Sequence, residues 1–162
     1  MMKMSVLYFS KTGNTKKMAE AIAKGMESVG DVQAKAMSVD ALDAAFVKES
    51  ACVVVGTPTY YNTFAAELKS WLDADCGKYA LAGKLGGAFA TSAYIHGGGE
   101  IAVQNILSHL QFFGMLIYSG GGAVGEPPIH LGPVAIDGDI DSFAPLFETY
   151  GQRMAAKAKE LF

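Results

Sequence analysis

The chain has 162 residues, 51% of them hydrophobic, and a net charge of −3. That suits one ordinary domain with apolar surface enough for a full core. A charge so near balance, with no basic run anywhere, excludes nucleic acid and anionic membrane surfaces as partners.

The opening residues run into an apolar stretch, 6–9, of strand length that stops at a polar loop. It is too short for a membrane span and lacks a signal-peptide pattern, so the chain is expected to be cytoplasmic. Met18, Ala19, Ile22, Ala23 and Met26 then recur at helical spacing over 16–29, and Gly30 suits the stop. Residues 32–37 read as a second, weaker strand and 40–48 as a short helix. The continuous, β-branched run 51–55 has the pattern of a central parallel strand. Phe64, Leu68, Trp71 and Leu72 mark a helix, 85–90 a fourth strand, and Val103, Ile106, Leu107 and Leu110 another helix. Residues 115–118 read as the fifth strand. Phe143, Leu146, Phe147, Tyr150, Met154 and Leu161 mark the last helix. The stretch 119–141, rich in Gly and Pro, reads as irregular.

This alternation predicts an α/β domain over 1–162, with a five-stranded parallel sheet in the order 2-1-3-4-5 and helices on both faces. Ligands of such sheets sit beyond the carboxyl ends of the strands, at the switch point between strands 1 and 3. The loops after Phe9, Val55 and Ala90 are therefore the ones to read.

The first is Ser10-Lys11-Thr12-Gly13-Asn14-Thr15. Hydroxyl and amide side chains crowd the start of a helix, whose free N–H groups and dipole attract anions. Gly13 lets the backbone approach closely, and together these residues form a nest for one phosphate. A plain helix cap by Thr12, Asn14 or Thr15 explains the same residues, so both readings stand at this point. There is no Gly-Lys-Ser/Thr ending and no G-x-G-x-x-G, which excludes a P-loop and a dinucleotide fingerprint.

Ser-x-Thr-Gly-Asn-Thr directly after the first strand resembles the FMN phosphate loop of flavodoxins. Gly56-Thr57-Pro58-Thr59-Tyr60-Tyr61-Asn62-Thr63-Phe64 follows the third strand. It resembles the Gly-Thr-Pro-Thr loop of WrbA-type NAD(P)H:quinone oxidoreductases and related FMN reductases. Thr91-Ser92-Ala93-Tyr94-Ile95-His96-Gly97-Gly98-Gly99-Glu100 resembles the family's loop after the fourth strand, and Phe113-Gly114-Met115 its segment before the fifth. The resemblance covers most of 6–118. It implies a flavodoxin-like three-layer sandwich with FMN as cofactor. Ser10, Lys11, Thr12, Gly13, Asn14 and Thr15 would hold the phosphate. Pro58, Thr59, Tyr60, Tyr61 and Asn62 would line one edge of the isoalloxazine, and Thr91, Ser92, Ala93, Tyr94, His96 and Gly97 the other. A large flat ring with a polar rim needs that mixture of aromatic contact and backbone donors. On the substrate side Tyr79 stands where the family has Trp, and Phe113 where it commonly has His. The family also implies neighbouring subunits that complete the site, hence a homodimer or homotetramer. Val124, Ile129, Leu131, Val134 and Ile136 in the stretch 119–141 point the same way, as apolar residues in need of cover.

The implied activity is two-electron transfer from NAD(P)H to a quinone or similar small acceptor, with no side-chain acid or base required. The alternative is a flavodoxin-type carrier that docks on a redox partner protein. Such carriers are typically very acidic, and −3 counts against that reading. A phosphoacceptor receiver of the same topology would need acidic residues where Ser10 and Gly56-Thr57 stand. Cys52 and Cys76 fit no metal or CxxC spacing, and a disulfide between them is not expected. His109 reads as structural or solvated, His130 as a loop residue with no visible partner, and Glu100 as a complement to a helix dipole. Asp137, Asp139, Asp141 and Glu148 fall at EF-hand-like positions, but Ser142 stands where that loop needs Gly, so calcium is not expected.

Overall fold

The computed structural model describes all 162 residues. Its elements are β1 (Met2–Tyr8), α1 (Asn14–Glu27), β2 (Val32–Ser38), α2 (Ala44–Glu49), β3 (Cys52–Tyr60), β4 (Thr63–Phe64) and α3 (Ala66–Ala74). After a 3-10 turn at Cys76–Tyr79 come β5 (Leu85–Ser92), α4 (Gly99–Phe112), β6 (Leu116–Ile117), β7 (Val134–Ile136) and α5 (Ala144–Leu161). The parallel sheet runs β2-β1-β3-β5-β6, which is the predicted 2-1-3-4-5 order in a flavodoxin-like α/β sandwich. No helix is long and apolar enough to cross a membrane.

Strand alternation sends residues to two cores. Val6, Val54, Leu85 and Phe89 pack under α1 and α5, while Leu7, Val53, Val55, Ala88 and Ala90 pack under α3 and α4. Cys52 lies in the first core and Cys76 in the second, both as free thiols. The helices α1 and α5 run side by side in matching register. Lys17 pairs with Asp141 and Lys24 with Glu148, and Gln152 Nε2 donates to Ser28 Oγ. Asp141 and Glu148 of the acidic positions near the end of the chain are therefore paired with α1.

Three departures from the sequence reading matter. First, β3 runs five residues beyond the expected 51–55, through Pro58 to Tyr60. β1 stops at Tyr8, opposite Gly56, and Gly56 C=O accepts from Phe9 N–H on that side. Two residues on, the Pro58 nitrogen faces the same, now vacated, side, so its missing N–H costs no ladder bond. Second, the fifth strand is split. β6 pairs with Leu85 and Gly86 at the start of β5, and β7 pairs with Ala90, Thr91 and Ser92 at its end. The chain between them leaves the sheet edge and returns, so part of the stretch read as irregular is strand. Third, that stretch is covered by its own chain. Ile129 is buried in the α1/α5 core, Leu131 and Val134 pack on the opposite core, and of the five apolar residues named for this stretch only Val124 stands exposed. The buried Arg153 guanidinium anchors it, donating to the carbonyls of Pro127 at 2.8 Å and Gly125 at 3.0 Å. Its apolar content therefore carries no argument for a subunit contact.

Candidate functional site

The over-run of β3 past β1 opens a cleft at the switch point. Lys11, Thr12, Asn14 and Thr15 line one side of it; Pro58, Thr59 and Tyr60 line another; Thr91, Ser92 and Ala93 close it, in a volume of about 250 Å³. Past Thr59, Ser92 and Ala93 it continues into a hollow of about 170 Å³ bounded by Tyr61, Asn62, Tyr94 and Gly97. Larger surface hollows exist, one of about 650 Å³ outside Tyr60, Tyr61 and Phe64, but none is lined by all three motif loops.

At the polar end, Gly13 caps α1 with φ 102° and no side-chain cap bond, a conformation that glycine adopts without strain. Ser10 Oγ accepts from Gly13 N–H at 3.2 Å and Lys16 N–H at 3.3 Å. Helix geometry leaves the N–H groups of Asn14 and Thr15 without an intrahelical acceptor. Thr15 Oγ lies 2.8 Å from Thr91 Oγ, and both hydroxyls are buried.

At the other end, Tyr61 and Asn62 form a two-residue hairpin turn between Tyr60 and Thr63, with φ 47° and 68°. Two positive φ values mark a type I′ turn, whose twist suits paired strands. Asn62 sits so close to Gly98 that a Cβ there has no room, and Asn105 Nδ2 donates to Thr63 Oγ at 3.0 Å. The turn is thus seated on the start of α4. Thr57 Oγ accepts from Ala65 N–H at 3.0 Å and so satisfies the amide of the residue just before α3. Thr59 Oγ is buried with no hydrogen-bond partner. A buried hydroxyl without a partner is costly, and this one borders both halves of the cleft. Burial, and then the Glu67 carboxylate, raise the Tyr60 phenol pKa, so this rim residue stays neutral.

Of the residues singled out in the sequence, fourteen line the two hollows. Ser10 and Gly13 shape the loop instead. His96 is exposed and lines neither hollow. Tyr79 and Phe113 lie away from the cleft, because α3 and α4 run antiparallel to the strands and end beyond the strands' amino ends. Tyr79 packs near Trp71, with ring centroids 5.8 Å apart, and Phe113 ends α4 just before β6 meets Leu85. Sequence reasoning missed one lining residue, Asp137. Its amide donates to Ser92 C=O at 2.8 Å, and its carboxylate accepts from Asn14 Nδ2 at 2.9 Å. Only the pairing of β7 with β5 brings it there, and no local pattern announces that pairing.

The donor set fits a flavin mononucleotide. There is a helix start with open amides, one unpartnered hydroxyl midway, and an aromatic rim in which Tyr61 and Tyr94 are largely exposed. Comparison with known proteins agrees with this architecture. A "Flavodoxin" from Clostridium saccharobutylicum is 44% identical over 99% of this chain and 100% of its own length. An "NAD(P)H dehydrogenase (quinone)" from Cupriavidus metallidurans is 34% identical over 85% of this chain and 77% of its own. The crystal structure of the flavodoxin, WrbA-like protein from Agrobacterium tumefaciens superposes with a TM-score of 0.82 at 25% identity, covering all of both chains. The profile of the flavodoxin family matches residues 6–128, and the chain belongs to that family.

Proposed function

We propose that the chain binds FMN in the switch-point cleft and acts as an NAD(P)H-dependent oxidoreductase for quinones or similar small acceptors. The observation that carries the cofactor is the unpartnered Thr59 hydroxyl between the anion nest and the aromatic rim. When bound, the flavin supplies hydride acceptance and donation. Thr12, Thr15 and the free amides of α1 hold the phosphate, in a loop that Ser10 shapes by accepting from Gly13 and Lys16. Thr59 donates to the flavin's polar edge, while Tyr61 and Tyr94 flank the ring. The type I′ hairpin, seated on Gly98 and Asn105, keeps one shape throughout. The quinone reductase assignment draws on the relatives bearing that name at 31–37% identity.

A flavodoxin-type carrier is the second reading, and the relative from Clostridium saccharobutylicum favours it. Purified protein loaded with FMN separates them. The reductase reading expects NADH or NADPH to bleach the flavin absorbance anaerobically and a quinone to restore it. Failure of both nucleotides to reduce the flavin, with ready reduction by a redox protein, replaces it with the carrier. The protein is further proposed to be cytoplasmic and a homodimer or homotetramer. Exposed Tyr61, Tyr94 and Ile95 around the mouth supply the surface for a neighbouring copy, which would also have to deliver Tyr79 or Phe113 from its far end. Light scattering that shows only a 17.0 kDa species rules the oligomer out.

A further inference from the structure

Odd-numbered residues of β5 point toward α1 and α5: Leu85 and Phe89 enter that core, and Thr91 follows at the same face. Its hydroxyl meets Thr15, in the first turn of α1, at 2.8 Å, and the two residues are 5% and 1% exposed. Each hydroxyl has one proton and two acceptor sites. One proton closes the bond between them, and the other is left on whichever hydroxyl accepts. If Thr15 donates to Thr91, Thr15 has no proton for the cleft. If Thr91 donates, the Thr15 proton is free to turn to the cleft, beside the open amides of the helix start. An anion seated there selects the second arrangement, because each donor in such a chain polarises the next.

We infer that Thr91 is a positioning residue for a phosphomonoester: it donates to Thr15, and Thr15 in turn donates to the phosphate. The inference rests on the proposed phosphate nest and adds a residue that acts on the phosphate through another. The resemblance sets Thr91 at the ring edge, but its hydroxyl is turned to Thr15, so removing it weakens phosphate recognition more than ring recognition.

The test compares FMN with riboflavin, which lacks the phosphate, by quenching of flavin fluorescence on titration with apoprotein. The wild type is expected to prefer FMN. Thr91→Val is expected to weaken FMN about three- to fivefold, because Thr15 keeps its own bond to the phosphate and loses only the orientation and polarisation that Thr91 gives it, with riboflavin within twofold. Thr91→Ser, which restores the donor, is expected to return FMN to within twofold of wild type. Thr91→Ala removes the same hydroxyl with less bulk and serves where the valine variant does not fold. In a Thr15→Val background the Thr91 substitution is expected to have no further effect. A hydroxyl deletion that leaves FMN binding unchanged, or weakens both ligands equally, overturns the relay while the nest stands. Equal affinity of the wild type for FMN and riboflavin overturns the nest and the relay together.

Discussion

Tyr61 is a bulky residue held at φ 47° with its side chain fully exposed, at 104% of the reference area. A left-handed conformation costs an L-residue roughly 1–2 kcal/mol, and no burial repays it here. Tyr61→Gly removes that cost. The glycine makes the unfolded chain freer, which takes back roughly 0.4–1 kcal/mol. The balance is a stabilisation of about 0.8 kcal/mol from these two principles, or a rise in melting temperature of about 2–3 °C for a domain of this size. Strain kept at a cleft rim points to a use for the side chain, and the hollow bounded by Tyr61 supplies one. Losing an aromatic partner for the flavin ring costs roughly 0.5–1.5 kcal/mol, so FMN binding weakens about two- to tenfold. Thermal unfolding of apoprotein, followed by circular dichroism, reads the first effect, and fluorescence titration with FMN reads the second. A variant apoprotein that melts at or below the wild-type temperature refutes the strain argument. Unchanged FMN affinity refutes the use.

Gly56→Ala places a methyl group inside the Phe89 ring at the centre of the sheet, where neither backbone nor ring has room to move. It is expected to destabilise by at least about 1–3 kcal/mol, read as a lower urea midpoint; a loss below 0.5 kcal/mol, roughly the scale of a harmless surface change, counts against that packing. Burial pushes the Cys76 thiol up to about 12 and raises Cys52 further still, so both are uncharged in the folded chain. Neither is expected to react with an aromatic disulfide reagent near pH 8 until denaturant is added, when two thiols per chain appear. Because the unfolded thiols ionise near pH 8.5 and the folded ones do not, this contribution to stability is full below that pH and falls as the pH rises above it. A hairpin without glycine, locked on Gly98 and Asn105, offers no peptide free to turn with redox state. Anaerobic titration with a reductant is therefore expected to show one two-electron step, and a long-wavelength absorbing species holding most of the flavin at the midpoint favours the carrier.

The one-dimensional sequence carried whatever local periodicity can encode. Val53, Val54 and Val55 announce a central strand, Met18, Ile22 and Met26 a helix face, and Gly13 to Thr15 a helix start, because each depends on neighbours a few residues away. Their alternation is enough to place three loops at one sheet edge, since right-handed crossovers leave few other topologies. Contacts between distant residues were not legible. β7 has three residues and no pattern of its own; it is a strand because Ala90 to Ser92 offer it partners. That pairing carries Asp137 to Asn14, 123 positions away, while Ile129, which looks like an exposed apolar residue when read in line, is buried against α1 and α5. Tyr79 and Phe113 show the same limit from the other side. Their place in a family pattern says nothing about which end of a helix reaches the cleft, whereas the antiparallel run of α3 and α4 carries both to the far end of the strands. Tyr61 at positive φ was equally hidden, because tyrosine has no intrinsic preference for that conformation and only the pairing of Tyr60 with Thr63 imposes it.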